Sequence, residues 1–508
     1  MDGHSYDLVI VGAGSGNMLP AKEFTGWRIA VAESDRFGGT CLNRGCIPSK
    51  MLVHTADVAQ EVRHAGRFGI RAKWVGADWP EIRERVFGRI DPLHERAVAH
   101  RRSQGADVFL GEARFVAPKV LTVGEDEIRG ERFVLAAGSR PRIPPIDGLA
   151  GAPYFTSDTV MRLDRLPRSM AVLGGGYIAA EMSHIFGSLG TKVTVIARGE
   201  HLLSRHDADI RVRFTECYRE RFDLRLGATI KRVATTRKGV RLDLVTPSGA
   251  QAAEAEVLLV AAGRVPNSDR LDVAAAGIET DAHGHVRTDD TYQTNVPGIF
   301  ALGDLANHFQ LKHMANAEAR LVLHNLLHPG QPRRAAFTVV PSAVFAGPQV
   351  ASVGATEQEL QAKGLPYVAA SRSYGDAAYG WALEDTSSFV KVLADPDTRL
   401  LLGAHIIGPQ ASALIQPLIQ AMCLGNTVDQ VASGVLYIHP ALTEVVEQAL
   451  LELLRRRPAP RRPIWRAVRP VRKRSLLMIK STLRRSIRRA QVHDTGKPPA
   501  SKRRYPVR

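Results

Sequence analysis

Twice in this chain a short aliphatic run ends in a cluster of glycines, and no other feature limits the fold as sharply. The first run, Tyr6-Asp-Leu-Val-Ile-Val-Gly12, opens into Gly12-Ala13-Gly14-Ser15-Gly16-Asn17. The second, Met170-Ala-Val-Leu173, opens into Gly174-Gly175-Gly176-Tyr177-Ile178-Ala179. A buried strand, a glycine turn and a helix make a dinucleotide-binding unit. The first glycine permits the tight turn, the second lets a pyrophosphate approach the backbone, and the helix that follows offers free N–H groups and a positive dipole end. Asn17 stands where a third glycine is usual. Each unit continues into a second strand. Ile29-Ala-Val-Ala-Glu33 ends in an acid 21 residues after Gly12, the spacing of a carboxylate that bonds a ribose hydroxyl. Lys192-Val-Thr-Val-Ile-Ala197 has no acid at its end; Arg198 follows, with Arg205 farther along. A carboxylate there would repel a 2′-phosphate, whereas arginine pairs with one bidentately. The second unit therefore favours NADPH over NADH, against the blander reading of two solvated loop arginines.

The 508 residues are enough for about three domains. No apolar run approaches the ~18 residues of a membrane span. The polar start runs directly into the first strand, so no secretory signal and a cytoplasmic location are expected. The net charge of +17 divides unevenly. Residues 455–508 hold 20 basic side chains and one acid, a net +19, and leave the body at −2. Charge therefore says little about the body and a great deal about the tail.

A third element suits the two nucleotide sites. Thr294-Asn-Val-Pro-Gly-Ile-Phe-Ala-Leu-Gly303-Asp304 is a short strand ending in Gly-Asp, where an acid can bond a ribityl hydroxyl, although Gly-Asp is also a common turn. A helix beginning near Leu311 would aim its positive end at a flavin ring.

Two of the four cysteines stand in Gly38-Gly39-Thr40-Cys41-Leu42-Asn43-Arg44-Gly45-Cys46-Ile47-Pro48-Ser49-Lys50. Pro48 and the periodic run after it place a helix start nearby, and a helix N-terminus makes a thiol nucleophilic. Without a secretory signal, a reversible catalytic disulfide is the better reading than a structural one. Zinc, the rival, needs four ligands, and no second cysteine pair exists. Cys217 and Cys423 are isolated and read as ordinary buried residues. Near the C-terminus, Tyr437-Ile438-His439-Pro440-Ala441-Leu442-Thr443-Glu444 sets a carboxylate five residues after a histidine, where it could orient an imidazole that moves protons.

Together these segments resemble the flavin-dependent pyridine nucleotide–disulfide oxidoreductases, from about Tyr6 to Glu452. Within that family the chain is similar to the branch that reduces mycothione, the disulfide of mycothiol. The narrower likeness rests on Val86-Phe-Gly-Arg-Ile-Asp-Pro92, Thr156-Ser-Asp-Thr-Val-Met-Arg162, Tyr374-Gly-Asp-Ala-Ala-Tyr-Gly-Trp-Ala-Leu-Glu-Asp385 and Leu414-Ile-Gln-Pro-Leu-Ile-Gln-Ala-Met422. The resemblance implies an α/β chain with two Rossmann-like domains, binding FAD and NADPH, and an α+β C-terminal dimerisation domain. It implies an FAD domain over 1–150 and 271–335, an NADPH domain over 151–270 and an interface domain over 336–454. It also implies residue roles. Cys46 is the thiolate against the flavin, and Cys41 the thiol that attacks substrate. His439 with Glu444 is the acid/base, supplied by the partner of a homodimer, and Lys50 and Glu181 pair near the flavin. Gly12, Gly14, Gly16, Glu33, Gly39, Thr40, Gly138 and Asp304 hold FAD. Gly174, Gly176, Arg198, Arg205 and Gly263 hold NADPH, with Tyr177 as the lid over the nicotinamide site. Ala137 and Ala262 depart from a common family threonine. Dihydrolipoamide dehydrogenase is the nearest alternative, and Arg198 argues against it; mercuric ion reductases usually carry extra C-terminal cysteines, absent after Cys423.

The tail lies outside this resemblance. Leu476, Ile479, Leu483 and Ile487 recur at spacings of three, four and four among arginines. That pattern suits a helix on an anionic membrane surface or a nucleic acid, with a solvated disordered tail as the competing reading. A rival from another class makes the body a scaffold for that binding tail.

Overall fold

Strand Ile29–Glu33 is buried at every residue, which a parallel strand covered on both faces requires. It pairs in parallel with His4–Val11, Leu8 opposite Ile29, and His4–Val11 pairs in parallel with Asp126–Leu135 on its other side. Asp107–Leu110 extends the sheet beyond Ile29–Glu33, and the antiparallel strands Val120–Val123 and Ala113–Ala117 extend it beyond Asp126–Leu135. Ile299–Ala301 returns from far along the chain to lie parallel to Phe133, Val134 and Leu135. The computed structural model describes residues 4–19 and 23–456; the apolar stripe anticipated in the tail lies outside them.

The second parallel sheet runs in the order Asp223–Arg225, Lys192–Ile196, Ser169–Leu173, Val257–Val260 and Phe155–Thr156. An antiparallel meander of Thr229–Thr236, Gly239–Thr246 and Gly249–Ala255 packs against it through Ile230, Val233, Leu242 and Leu244. The third sheet is antiparallel: Ser342–Val344, Val350–Gly354, Leu401–Ile407, Phe389–Ala394 and Val368–Ser373. Helix Thr443–Arg455 lies across the last two strands and buries Val445, Val446, Ala449, Leu450 and Leu453. The fold is thus α/β through the first two sheets and α+β in the third.

A buried ion cluster fastens the second sheet's helix Ala208–Arg219 to the third sheet. Lys391 Nζ, only 2% exposed, reaches Asp207 at 2.8 Å and Asp209 and Glu357 at 2.6 Å each. Burial pushes the lysine towards its neutral form, and the three carboxylates more than reverse that, so its charge is held.

Two expectations need correction, and Asn17 finds a partner of its own. The first glycine turn leads only into a single 3-10 turn, Gly16–Met18, among the described residues, and Leu19 is extended at φ −79°, ψ 105°. Pro20 follows, and a residue before proline is driven out of the helical region. Asn17, in the third-glycine position, is instead clasped by buried Arg101, whose Nε donates to Asn17 Oδ1 at 2.6 Å. Finally, Cys217 is half-buried and Cys423 exposed. Cys217 sits one position before buried Tyr218, and Cys423 lies beyond Ala421, the last buried residue of its helix, beside Leu424, which is 67% exposed.

Candidate active site

Both glycine turns close in the same way. A Cβ on Gly12, at φ +100°, would stand 2.4 Å from the Ala136 carbonyl oxygen; on Gly174, at φ +140°, it would stand 2.2 Å from that of Ala261. Ala136-Ala137-Gly138 and Ala261-Ala262-Gly263 therefore play matching parts, each seating a loop that only glycine allows. Glu33 secures the first turn. Its Oε2 accepts the Ala13 N–H at 2.7 Å and its Oε1 the Asp35 N–H at 3.0 Å.

A cavity of about 450 Å³ begins at this turn and ends at the cysteine pair. Its walls include Gly12, Gly14, Glu33, Gly39, Thr40, Cys41, Cys46, Lys50, Gly138, Tyr177, Glu181 and Asp304, so residues spread over almost 300 positions meet in one space. Gly39, Thr40 and Cys41 lie on the short helix Gly39–Arg44, and Cys46 begins the long helix Cys46–His64. The long helix starts two residues before Pro48, which fits in its first turn because N–H groups there have no helical acceptor.

The two cysteines are free thiols that titrate as a pair. The hydrogen bond from Cys41 and the charge of Lys50 pull Cys46 down to about 6, although desolvation opposes them; the residue is exposed, at the cavity wall. The same bond to Cys46, together with burial, pushes Cys41 up. One proton is thus held between two sulfurs, on Cys41. Lys50 sits one helical turn after Cys46. Its Nζ lies 2.7 Å from both carboxylate oxygens of Glu181 and 4.7 Å from the centre of the Phe345 ring. Glu181 is buried on helix Tyr177–Leu189 and also accepts the Phe345 N–H at 3.1 Å. Tyr177 opens that helix and is 41% exposed, its ring at the wall of the cavity.

Side chains not singled out from the sequence complete the space. Lys312 opens the helix Lys312–Leu327, one residue from the start expected at Leu311. Its Nζ donates to Ser15 Oγ at 3.0 Å, its charge acts on both cysteines, and burial lowers its pKa. A cation at a helix N-terminus opposes the dipole, and that misfit was the legible signal. Asp304 accepts Ser139 Oγ at 2.7 Å, and Ser139 is gripped by Arg264. Beneath them, fully buried Glu318 accepts the Gly303 N–H at 2.6 Å. Two of the four segments behind the narrower likeness, 86–92 and 156–162, also meet. Asp91 takes Arg162 at 2.7 Å and Arg36 at 2.6 Å, just before the redox loop, and Arg162 stacks over Phe87 at 3.8 Å.

Two groups of predicted residues stand elsewhere. His439 Nδ1 lies 2.8 Å from Glu444 Oε1, and this bond holds the Glu444 carboxyl below its ordinary range. The imidazole is 72% exposed, does not line its own chain's cavity, and adjoins exposed Val435, Leu436 and Ile438. Arg198 and Arg205 are exposed and, among the described residues, pair with no carboxylate; Gly176 caps helix Tyr177–Leu189, with Gly263 nearby in chain terms to Ala261. The first set of residues fits FAD: a glycine cradle, an acid at the strand end, Asp304 and a thiol at the far wall. The second fits NADPH: a glycine turn at a helix N-terminus and two free guanidinium groups.

Comparison with known proteins agrees with this geometry. The family model for pyridine nucleotide-disulphide oxidoreductases matches residues 6–319, and that for the dimerisation domain of the same family matches residues 340–450. A mycothione reductase of Mycobacterium tuberculosis is 44% identical over 460 residues, covering 88% of this chain and 99% of the relative. A dihydrolipoyl dehydrogenase of Chlamydia muridarum is 31% identical over 88% of this chain and 97% of its own length. Among solved structures, the HOCl-induced flavoprotein disulfide reductase RclA from Escherichia coli, as its Cu(II) complex, superposes with a TM-score of 0.79 at 26% identity, covering 88% of this chain and 99% of that one. Among the described residues no helix is long and apolar enough to cross a membrane. With its two nucleotide folds, its paired cysteines and its third sheet all accounted for, the chain belongs to the pyridine nucleotide-disulphide oxidoreductase family.

Proposed function

We propose that this protein is an NADPH-dependent flavoprotein disulfide reductase of the cytoplasm, working as a homodimer, whose substrate is mycothione. The observation that carries the reading is the hydrogen-bonded Cys41–Cys46 pair at the wall of the cavity that also holds the first glycine turn and Tyr177. The 44% identity to a mycothione reductase supports the substrate. On this reading residues 1–150 and 271–335 form the FAD domain, 151–270 the NADPH domain and 336–454 the interface domain.

FAD, when bound, supplies a two-electron carrier between the nicotinamide and the cysteines. Gly12, Gly14, Gly16, Glu33, Gly39, Thr40, Gly138 and Asp304 hold it. Gly174, Gly176, Gly263, Arg198 and Arg205 hold NADPH, and Tyr177 screens the nicotinamide site from water. Two electrons open the Cys41–Cys46 bond to two sulfurs carrying one proton. His439 of the partner subunit, oriented by Glu444, takes the Cys41 proton, and the Cys41 thiolate attacks one sulfur of the substrate disulfide, so a Cys41–substrate bond forms and the substrate S–S bond breaks. The partner subunit's His439 then gives that proton to the departing thiolate. The Cys46 thiolate then attacks the Cys41 sulfur, the Cys41–Cys46 bond re-forms, the Cys41–substrate bond breaks, and the second product leaves as a thiolate that takes a proton from solvent. While the bond is open, the charge of Lys50 favours the Cys46 thiolate, and Glu181 acts the other way.

Side-by-side NADPH oxidation with mycothione, glutathione disulfide, trypanothione disulfide and lipoamide tests the substrate. Mycothione should give the highest kcat/KM; a higher value for another disulfide overturns that choice. NADH as the better donor would remove the roles of Arg198 and Arg205.

The tail supports an added contact with an anionic membrane surface or nucleic acid. It lies outside the described residues, and its +19 charge and spaced apolar positions are the grounds. Co-sedimentation with anionic vesicles should fall when residues 455–508 are removed; equal sedimentation discards the membrane contact.

A further inference from the structure

Away from the cavity, the turn Asp281-Ala-His-Gly-His285 is tightly closed. The Asp281 N–H donates to the His285 carbonyl at 2.8 Å, and the Gly284 N–H donates to the Asp281 carbonyl at 3.0 Å. Asp281 Oδ1 accepts the N–H groups of His283 at 2.8 Å and His285 at 2.9 Å. The other carboxylate oxygen, Oδ2, is left facing two imidazoles. It stands 3.4 Å from His285 Nδ1 and 3.3 Å from His308 Nε2. His308 arrives on a separate loop, just past the turn Gly303–Leu305, and that loop is fixed to the Asp281 turn by the Val286 N–H donating to the Leu305 carbonyl at 2.9 Å. The two imidazole rings are 4.0 Å apart, centre to centre. One ligand atom from each of the three residues lies within 4.8 Å of the other two.

His285 makes the cluster more than a chance grouping. It is only 7% exposed, and neither ring nitrogen has a hydrogen-bond partner, so Nδ1 points at the carboxylate without bonding to it. A buried imidazole with two idle nitrogens is rare, because such groups are nearly always satisfied. We propose that Asp281, His285 and His308 bind one divalent transition-metal ion of the zinc class. Bonds of 2.0–2.1 Å in a tetrahedron set ligand atoms about 3.3 Å apart, and the carboxylate oxygen already stands at that separation from both imidazoles. Two imidazoles and one carboxylate suit borderline metals, whereas calcium and magnesium call for oxygen alone. His308 is 64% exposed, so the fourth position opens to solvent and takes water. The ion would clamp the Asp281 turn to the loop that follows Asp304.

The test uses the full-length FAD-loaded enzyme with Cys41 and Cys46 oxidised to their disulfide and with exposed Cys423 replaced by serine (Cys423→Ser), which removes these three thiols as competing ligands. After equilibration with Zn²⁺ and desalting, this parent enzyme should retain about one ion per chain, with Mg²⁺ not retained. His308→Ala, a change at an exposed side chain, should weaken Zn²⁺ affinity at least about tenfold and abolish the rise in thermal midpoint that Zn²⁺ gives the parent. Co²⁺ should show the d–d bands of a nitrogen–oxygen site without a thiolate charge-transfer band. Failure to retain Zn²⁺, equal retention by His308→Ala, or a thiolate band with Co²⁺ each overturns the site.

Discussion

A single proton shared by Cys41 and Cys46 decides which sulfur is ready to react, and Lys50 biases the outcome. Its charge helps pull Cys46 down to about 6, while Glu181 beside it acts the other way. The thiolate of Cys46 is therefore present above that pH and lost as the pH falls through it. Lys50→Met should move the midpoint upwards by about one unit or more, read from the pH dependence of the flavin–thiolate charge-transfer absorbance in the two-electron-reduced enzyme. An unchanged midpoint would take Lys50 out of the role. The same absorbance separates the sulfurs: Cys41→Ser should keep it and Cys46→Ser should abolish it, and the reverse result would exchange their assignments. Legibility at this scale followed locality. Cys41, Cys46 and Lys50 lie within ten residues of one another, and His439 and Glu444 within six, so spacing alone brings them together. Lys312 with Ser15, Arg264 with Ser139 and Glu318 with Gly303 depend on how distant strands and helices pack, and no local pattern announces those contacts.

At the level of elements, the two glycine turns are alike in form and differ in cargo. Alanine at Gly12 or Gly174 would place a methyl group against a carbonyl oxygen at a positive φ, so each should damage only its own nucleotide site. Gly12→Ala should purify with a lowered ratio of FAD to protein. Gly174→Ala should keep its flavin but raise the KM for NADPH at least about tenfold, the loss of one or more good phosphate contacts. Absorbance of the purified proteins and steady-state rates check both, and loss of flavin from Gly174→Ala would contradict the division of labour. Both strand–turn units and the later helix at Lys312 were readable, because period, glycine and chain direction coincide there. The helix after Gly16 was expected from the general pattern and yields to Pro20, a local rule that outweighs it. The exposure of Cys423 turns on which side of one helix faces the third sheet, and a lone cysteine carries no periodicity to reveal that.

On the scale of the whole molecule, the body is organised around its three largest sheets, and the buried Lys391 cluster holds the second and third of these together through three carboxylates. The segment before helix Thr443–Arg455, which packs on the third sheet, carries His439 outwards, near Leu436, which is 99% exposed. An apolar rim of that kind around a polar side chain marks a surface meant for another copy. The consequence is a form of mutual dependence. A chain lacking Cys41 keeps its histidine, and a chain lacking His439 keeps its sulfurs, so neither homodimer should turn over at an appreciable rate. Unfolded together and refolded as a mixture, the two crippled forms should rescue one another, because half of the pairs that form unite a sound imidazole with a sound thiol at one of their two sites. Activity should climb to about a quarter of the wild-type value by that counting; a mixture as inert as its parents would mean that each chain serves itself.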